Sequence, residues 1–144
     1  MRARSKAREF TLVVLYQKEI THAPVETLLS SLIESDPQPR EVIEFARFLL
    51  TGLSGREAVI DQLIKKHVKN WEIERMAIID RNILRVGCYE LLFLDEIPPK
   101  VSINEAIELA KKYGDMDSPR FVNGILDKIY KTETEKQDSE PVSE

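Results

Sequence analysis

The sequence predicts an all-α protein of about seven helices. Apolar residues recur at spacings of three and four along most of the chain, whereas the strict alternation typical of half-buried strands is nowhere sustained. Only 5 glycines interrupt these patterns. The chain has 144 residues, 42% of them apolar, which suffices for one compact domain and is too little for two ordinary ones.

The first half of the chain contains two short helical segments and one long one. The first helix spans about residues 4–20, and Pro24 begins a second helix that ends before Pro37. From residue 40 to residue 67 the apolar pattern is almost continuous, although two glycines lie inside it. This segment is either one long helix kinked at the glycines or two helices with a tight joint. Three residues of the first helix are predicted to face the core: Phe10, Val14 and Leu15.

The second half begins with a predicted helical turn at residues 71–75. A helix at residues 78–94 is apolar on more than one side, so we expect it to lie at the centre of the fold. Its Cys88 is the only cysteine of the chain and has apolar neighbours. We therefore expect a buried, unreactive thiol and no internal disulfide.

Two capping patterns predict the last helices. Ser102 and Glu105 have the spacing of a capping box, in which each side chain satisfies a free backbone N–H of the other residue. The helix that they begin is predicted to end at Gly114. Residues 117–119 (Asp-Ser-Pro) provide a capping side chain and then proline at the first helical position. The final helix is predicted to run to about Tyr130.

The apolar periodicity ends after residue 130. Residues 131–144 carry five acidic residues against two lysines. Such a segment cannot bury enough apolar surface to fold by itself. We therefore expect an acidic disordered tail and assign it no function.

Composition and motifs exclude several classes of protein. No apolar run approaches the roughly 20 residues needed to span a bilayer, and no secretory signal precedes the first helix, so a cytoplasmic protein is predicted. His22 and His67 have no cysteine or acidic cluster at metal-binding spacing, and residues 115–117 lack the rest of a calcium loop. No phosphate-binding glycine loop and no nucleophile with a nearby base are evident. We predict no catalytic residues, no metal and no cofactor.

A basic cluster at the start of the first helix is the one local feature without a structural explanation. Arg2, Arg4, Lys6 and Arg8 lie where the helix dipole disfavours positive charge by about 0.3–1 kcal/mol each. The chain carries −4 overall and these four residues carry +4, so the rest carries −8. This asymmetry favours an anionic partner. The alternative is a solubilising terminus without a partner.

Three pairs of motifs, in this order along the chain, resemble the NusB family. The first pair is Ala-Arg-Glu at residues 7–9 and Leu-Tyr-Gln at residues 15–17. The second is Asp-Arg-Asn-Ile-Leu-Arg at residues 80–85 and Tyr-Glu-Leu at residues 89–91. The third and most specific is Ile-Pro-Pro-Lys-Val-Ser-Ile-Asn-Glu-Ala-Ile-Glu-Leu-Ala-Lys at residues 97–111 with Phe-Val-Asn-Gly-Ile-Leu-Asp at residues 121–127. The resemblance covers about residues 2–130.

The resemblance implies a single domain of two packed three-helix bundles, at about residues 1–68 and 70–130, with the first helix bridging toward the second half. It implies a non-enzymatic factor in antitermination, chiefly of rRNA operons. The implied partners are NusE, a small-subunit ribosomal protein, the single-stranded boxA element of nascent RNA and, indirectly, other Nus factors and RNA polymerase. The free protein is expected to be a monomer or a homodimer and to use no membrane.

The resemblance also implies the site residues. Arg2, Arg4, Lys6 and Arg8 correspond to the family's arginine-rich start and would contact RNA phosphates, although cations at i, i+2 spacing face apart on a helix. The other implied RNA-binding residues are Tyr16, Lys100, Asp117, Ser118, Phe121 and Asn123. The implied NusE contacts are Tyr16 and Asp80.

Most of these residues also have an ordinary structural interpretation. Tyr16 and Phe121 fit partly buried core positions, Asp117 or Ser118 fits a helix cap, Asn123 fits a surface position on a helix, and Lys100 fits a solvated loop. A rival function for the whole chain is a protein-interaction module or homodimer in which RNA binding is secondary. The sequence leaves these alternatives open.

Overall fold

The computed structural model describes residues 2–68 and 75–138, without the side chains of residues 135–138. These ranges contain no strand, which confirms the all-α prediction. The predicted turn at residues 71–75 lies largely outside them. The described helices are α1 (Ala3–Thr21), α2 (Val25–Ser35), α3 (Arg40–Ser54), α4 (Glu57–His67), α5 (Ile78–Phe93), α6 (Pro99–Tyr113) and α7 (Ser118–Asp138).

The long apolar segment after residue 40 forms two helices rather than one kinked helix. Helix α3 ends at Ser54, and α4 begins at Glu57 after a tight joint. Gly52 lies inside α3, where it permits a close approach by Tyr89 of α5. A Cβ at this position would lie 1.9 Å from the Tyr89 hydroxyl oxygen. This glycine is therefore required for packing and does not bend the chain.

Helix α5 is the centre of the fold, as its sequence predicted. It packs against α1, α3, α4, α6 and α7, and its Ile83, Leu84 and Cys88 are completely buried. Burial raises the pKa of the Cys88 thiol to about 12, and the carboxylates of Glu133 and Asp61 add to the rise. The thiol is therefore uncharged and inert at neutral pH.

The remaining contacts group the helices on either side of α5. Helix α1 packs against α2 and α3 and buries Phe10, Val14 and Leu15 as predicted. Helices α6 and α7 pack against each other. Helix α4 differs from the predicted grouping, because it packs against α5 and α7 although the sequence assigned residues 1–68 to an N-terminal bundle.

The predicted capping box at Ser102 is wrong. Helix α6 begins one turn earlier, at Pro99, and no side chain caps it. Proline is favoured at the first helical position, where its missing N–H costs nothing. Ser102 therefore lies inside the helix, and its hydroxyl donates a 2.9 Å hydrogen bond to Glu90 of α5. Lys100 consequently lies in the first turn of α6 and not in a loop.

The start of α7 is capped by a different residue from the one expected. Helix α6 ends at Gly114 as predicted. The Asp115 Oδ1 atom then accepts hydrogen bonds from the backbone N–H groups of Asp117, at 2.9 Å, and Ser118, at 3.1 Å. The Ser118 hydroxyl accepts a 3.0 Å hydrogen bond from the Asp115 N–H. This small loop holds the helix start rigidly.

The predicted disordered tail begins too early. Helix α7 continues past residue 131 to Asp138, and residues 139–144 lie outside the described residues. Glu133 is buried and lies 3.2 Å from Lys66 Nζ and 3.3 Å from His67 Nε2, at the end of α4. Apolar periodicity did not indicate this extension because part of its packing is a polar contact.

Candidate nucleic-acid interface

The four cations at the start of α1 divide between two faces of the helix. Arg4 and Arg8 face α3, where their guanidinium carbons lie 4.5 Å and 5.5 Å from the centroid of the Phe45 ring. Arg2 is exposed on another face and lines a groove between α1 and α6. The alternating spacing predicted this division. Arg2 and Arg4 nevertheless both line a second groove, at the start of α6, and Arg8 is buried, so the four cations are not equally accessible to a partner.

Arg8 is buried, which contradicts its predicted contact with RNA phosphate. Its side chain is 3% exposed, and it donates hydrogen bonds of 2.7 Å and 2.8 Å to the two carboxylate oxygens of Glu90. Glu105 lies 3.5 Å away and contributes a second negative charge. Because its partners lie more than 80 residues away on α5 and α6, no local pattern indicated this burial.

The Arg8 contacts are part of a network that fixes the start of α1. The Glu90 carboxylate also accepts the Ser102 hydrogen bond, and Ser5 donates a 2.5 Å hydrogen bond to Glu105. The first two turns of α1 are thus joined by polar contacts to both α5 and α6. This network gives the exposed cations Arg2 and Arg4 a defined position.

A polar stripe on α1 includes Arg2, Lys6, Glu9 and Tyr16, which are spaced to lie on one side of the helix. The Glu9 carboxylate is paired with Lys112 and with the Tyr113 hydroxyl of α6, the latter at 2.7 Å. Burial raises the pKa of Glu9, but the hydrogen bonds from Lys112 and Tyr113 outweigh it and hold that pKa below its ordinary value. The negative charge of Glu9 is therefore balanced by Lys112, and the positive charges of Arg2 and Lys6 remain for a partner.

Helix α6 contributes two cations that the sequence did not single out. Lys111 and Lys112 lie in its last turn and line the groove with Arg2. Lys111 has only an exposed 3.2 Å ion pair with Glu108, which is worth little. Lysines in a last helical turn are common because they compensate the dipole, so nothing in their spacing indicated a shared surface.

The other predicted residues lie toward the two ends of α6. Lys100 is exposed in the first turn, beside Pro98 and Val101, which line a groove with Arg2 and Arg4. The segment from Asp117 to Asn123 follows the last turn. Because α6 has 15 residues, its two ends lie about 22 Å apart.

The segment after α6 contains both exposed and structural residues. Asp117 and Asn123 are exposed, and Phe121 is half-buried against the core. Ser118 is 2% exposed and its hydroxyl holds the α6–α7 loop, so a direct RNA contact by this side chain is contradicted. Its hydroxyl stabilises the loop before α7, whereas the cap itself is provided by Asp115.

Asp80 and Tyr16, the two predicted partner contacts, differ in exposure. Tyr16 is 37% exposed and lies outside the buried core. Asp80 lies in the first turn of α5 beside Asp115 and Ser118, and its Oδ1 atom is buried without a hydrogen-bond partner in the described part of the chain. Burial raises the pKa of Asp80, a hydrogen bond from Ser118 opposes the rise, and the Asp115 charge adds to it.

Comparison with known proteins identifies the family. A sequence model of the NusB family matches residues 5–131, most of the chain. The chain belongs to the NusB family. Its relatives include transcription antitermination proteins NusB from Myxococcus xanthus, 44% identical over 90% of this chain and 95% of the relative, and from Bacillus thuringiensis, 43% identical over 90% and 98%. NusB proteins are antitermination factors and not enzymes, as predicted here.

Solved NusB structures share the fold. Thermotoga maritima NusB superposes with a TM-score of 0.84 and 38% identity, covering 89% of this chain and 90% of that one. A chain from a complex of the antitermination factors NusB and NusE with double-stranded RNA gives a TM-score of 0.83 at 32% identity, covering 92% and 98%. Within the described ranges, no helix has the length and hydropathy of a membrane span, and no three His, Cys, Asp or Glu side chains are grouped as metal ligands.

Proposed function

We propose that this member of the NusB family binds the single-stranded boxA element of nascent RNA together with NusE, and thereby supports antitermination in rRNA operons. The observation that carries the proposal is an exposed Arg2 and a partly exposed Lys6 at a helix start held by buried polar contacts, in a chain similar to one from a NusB–NusE–RNA complex. Other Nus factors and RNA polymerase would be reached indirectly.

The RNA backbone would follow the polar stripe of α1 and the end of α6. Arg2, Lys6 and Lys111 would contact phosphates, which positions a strand without reading its sequence. Arg4 lies on the α3 side, so we propose a smaller role for it, and Lys100 would extend the basic surface at the start of α6.

Bases would be recognised just beyond the last turn of α6, the end of the helix that carries Lys111. Asp117 and Asn123 present exposed acceptors and donors there, and the half-buried Phe121 offers a ring edge or face. The distance of about 22 Å along α6 corresponds to several nucleotides of an extended strand. One strand could therefore contact both the basic helix start and this segment.

NusE would bind at the opposite end of α1 from its first residue, through Tyr16 and Asp80. Helix α1 runs antiparallel to α5, because Arg8 contacts Glu90 and Glu19 contacts Arg81, so the later turns of α1 lie near the start of α5. Tyr16 offers an exposed aromatic ring, which protein interfaces favour, and Asp80 lies in the first turn of α5, the end of that helix nearest the later turns of α1.

Replacing Asp80 by asparagine should raise the stability of the protein and weaken its binding to NusE. A raised carboxyl pKa means that ionisation in the folded state is unfavourable, so Asp80 lowers stability once the pH exceeds its ordinary pKa. Asp80→Asn should therefore increase the free energy of unfolding at pH 7, by an amount that shrinks toward pH 3. The same variant should bind NusE more weakly. Urea titrations across pH and a binding isotherm measure the two effects, and a destabilised variant at pH 7 would contradict the first.

The proposed phosphate contacts, Arg2, Lys6 and Lys111, form what we call the RNA face. The double variant Arg2→Ala/Lys6→Ala tests it. Loss of two phosphate contacts should weaken binding of a boxA strand about 10- to 100-fold at low salt. The slope of log affinity against log salt should become less negative by about 1.4, since each single-strand contact contributes about 0.7. Fluorescence anisotropy over a salt series measures both quantities.

The matched control is Lys65→Ala/Lys128→Ala, which removes two exposed cations from α4 and α7. It should leave the salt slope nearly unchanged. Equal effects of the two double variants would show that RNA binding depends on the total positive charge and not on the position of Arg2 and Lys6. If Arg2→Ala/Lys6→Ala binds the boxA strand as tightly as the parent protein, α1 does not contact RNA, and the protein-interaction alternative is favoured.

A further inference from the structure

A groove on the α3 side of the molecule combines aromatic rings with carboxylates. Its walls are the first turn of α1, the first half of α3 and the loop after α5. The lining residues are Ala3, Arg4, Glu41, Glu44, Phe45, Phe48 and Glu96. We call this the acid-aromatic groove. None of its acidic residues belongs to the RNA face or the partner surface described above.

The two rings of the groove are occupied differently. Phe45 and Phe48 stack with centroids 6.1 Å apart and an interplanar angle of 27°. The Arg4 guanidinium covers the Phe45 ring at 4.5 Å. Phe48 is 47% exposed, and no cation of the described residues lies over its ring. Phe45 thus has the guanidinium groups of Arg4 and Arg8 beside its ring, whereas the Phe48 ring has none from the described residues.

The carboxylates of the groove are only partly neutralised. Glu44 has a 2.8 Å ion pair with Arg40, but that pair is 91% and 61% exposed and therefore weak. Among the side chains of residues 2–68 and 75–134, neither Glu41 nor Glu96 has an ion-pair partner within 4.0 Å. Among the lining residues, three carboxylates thus share the groove with one guanidinium, that of Arg4, and Arg40 adds only the exposed pair with Glu44. The groove is negative, although it adjoins the basic start of α1.

We propose that the acid-aromatic groove binds an arginine side chain of a protein partner. A planar guanidinium can stack on the open face of Phe48 while its N–H groups bond to Glu41 or Glu96, as cation–π and charge-assisted contacts require. Arg4 on Phe45 shows that the geometry is accessible in this protein. RNA fits poorly, because unpaired carboxylates repel phosphates. The proposal stands independently of the proposed RNA function.

The test uses the full chain and the peptide acetyl-Gly-Arg-Gly-Arg-Gly-amide, followed by NMR of backbone amides and phenylalanine rings. Signals of Phe48, Glu41 and Glu96 should shift together in a saturable manner. A citrulline peptide, which keeps the shape and loses the charge, should bind at least about tenfold more weakly. The double variant Glu41→Gln/Glu96→Gln should show a similar loss.

The matched control is Glu34→Gln/Asp36→Asn, which removes two exposed negative charges at the end of α2. This variant should keep parental affinity for the arginine peptide, and Phe48→Leu should lose it while remaining folded. Equal binding of arginine and citrulline peptides, or equal losses in both double variants, would overturn the proposal. The proposal would also be overturned if a single-stranded RNA shifted the Phe48 signals and the arginine peptide did not, because the groove would then contact nucleic acid.

Discussion

Arg8→Leu is expected to lower the free energy of unfolding by about 3–5 kcal/mol, the typical cost of leaving one member of a buried ion pair alone. Glu90 is 1% exposed and accepts hydrogen bonds from Arg8 and Ser102. Without the guanidinium, its charge would remain in an apolar environment with one neutral donor. Urea denaturation at pH 7, followed by circular dichroism, measures the loss.

A double-mutant cycle distinguishes a buried charge from simple loss of packing. Replacing both partners, Arg8→Leu/Glu90→Leu, should recover most of the stability, because a buried ion pair is often no more stabilising than apolar residues of similar volume. Arg40→Ala removes one member of the exposed pair with Glu44 and should cost less than about 1 kcal/mol. Similar losses for Arg8→Leu and Arg40→Ala would show that the Arg8 network does not hold α1 in place.

This result would change how substitutions in the basic cluster are interpreted. Reduced RNA binding after Arg8→Ala would reflect displacement or unfolding of α1 and not a lost phosphate contact. Arg2 and Lys6 are the residues whose substitution reports on RNA directly, since neither is buried. The sequence could not separate these roles, because the partners of Arg8 come from helices far along the chain.

Local patterns predicted the helices better than their ends. Apolar spacing indicated α1, α2, α5, α6 and α7, and the central position of α5 followed from its several apolar faces. At α6 two signals competed, and proline at the first position prevailed over the capping box that Ser102 and Glu105 suggested. At α7 the extension beyond residue 131 depends on Glu133 meeting His67, a contact that no short window contains.

The candidate site was predictable where it depended on α1 alone. The i, i+2 spacing of the cations indicated that they would face apart, and the structure places Arg4 and Arg8 against α3 and Arg2 beside α6. Lys111 and Lys112 were missed because their surface forms only when α1 packs along α6. The motifs at residues 97–111 and 121–127 supplied the family, not the geometry of the site.

The largest effect on binding should come from NusE. If Tyr16 and Asp80 bring NusE beside the RNA face, one strand can contact both proteins, and each ligand should strengthen the other. Couplings between adjacent sites usually amount to 1–3 kcal/mol, so saturating NusE should tighten boxA binding by about 5- to 150-fold. By thermodynamic reciprocity, boxA RNA should tighten NusE binding by the same factor.

One titration determines whether this protein and NusE form a composite RNA surface. A fluorescent boxA strand is titrated with this protein alone, with NusE alone and with an equimolar mixture, at one fixed salt concentration. We expect weak binding by each protein, an enhancement of about 5- to 150-fold for the mixture, and a smaller enhancement for a scrambled strand. A mixture that binds no more tightly than the better single protein, or binds both strands equally, would contradict this expectation.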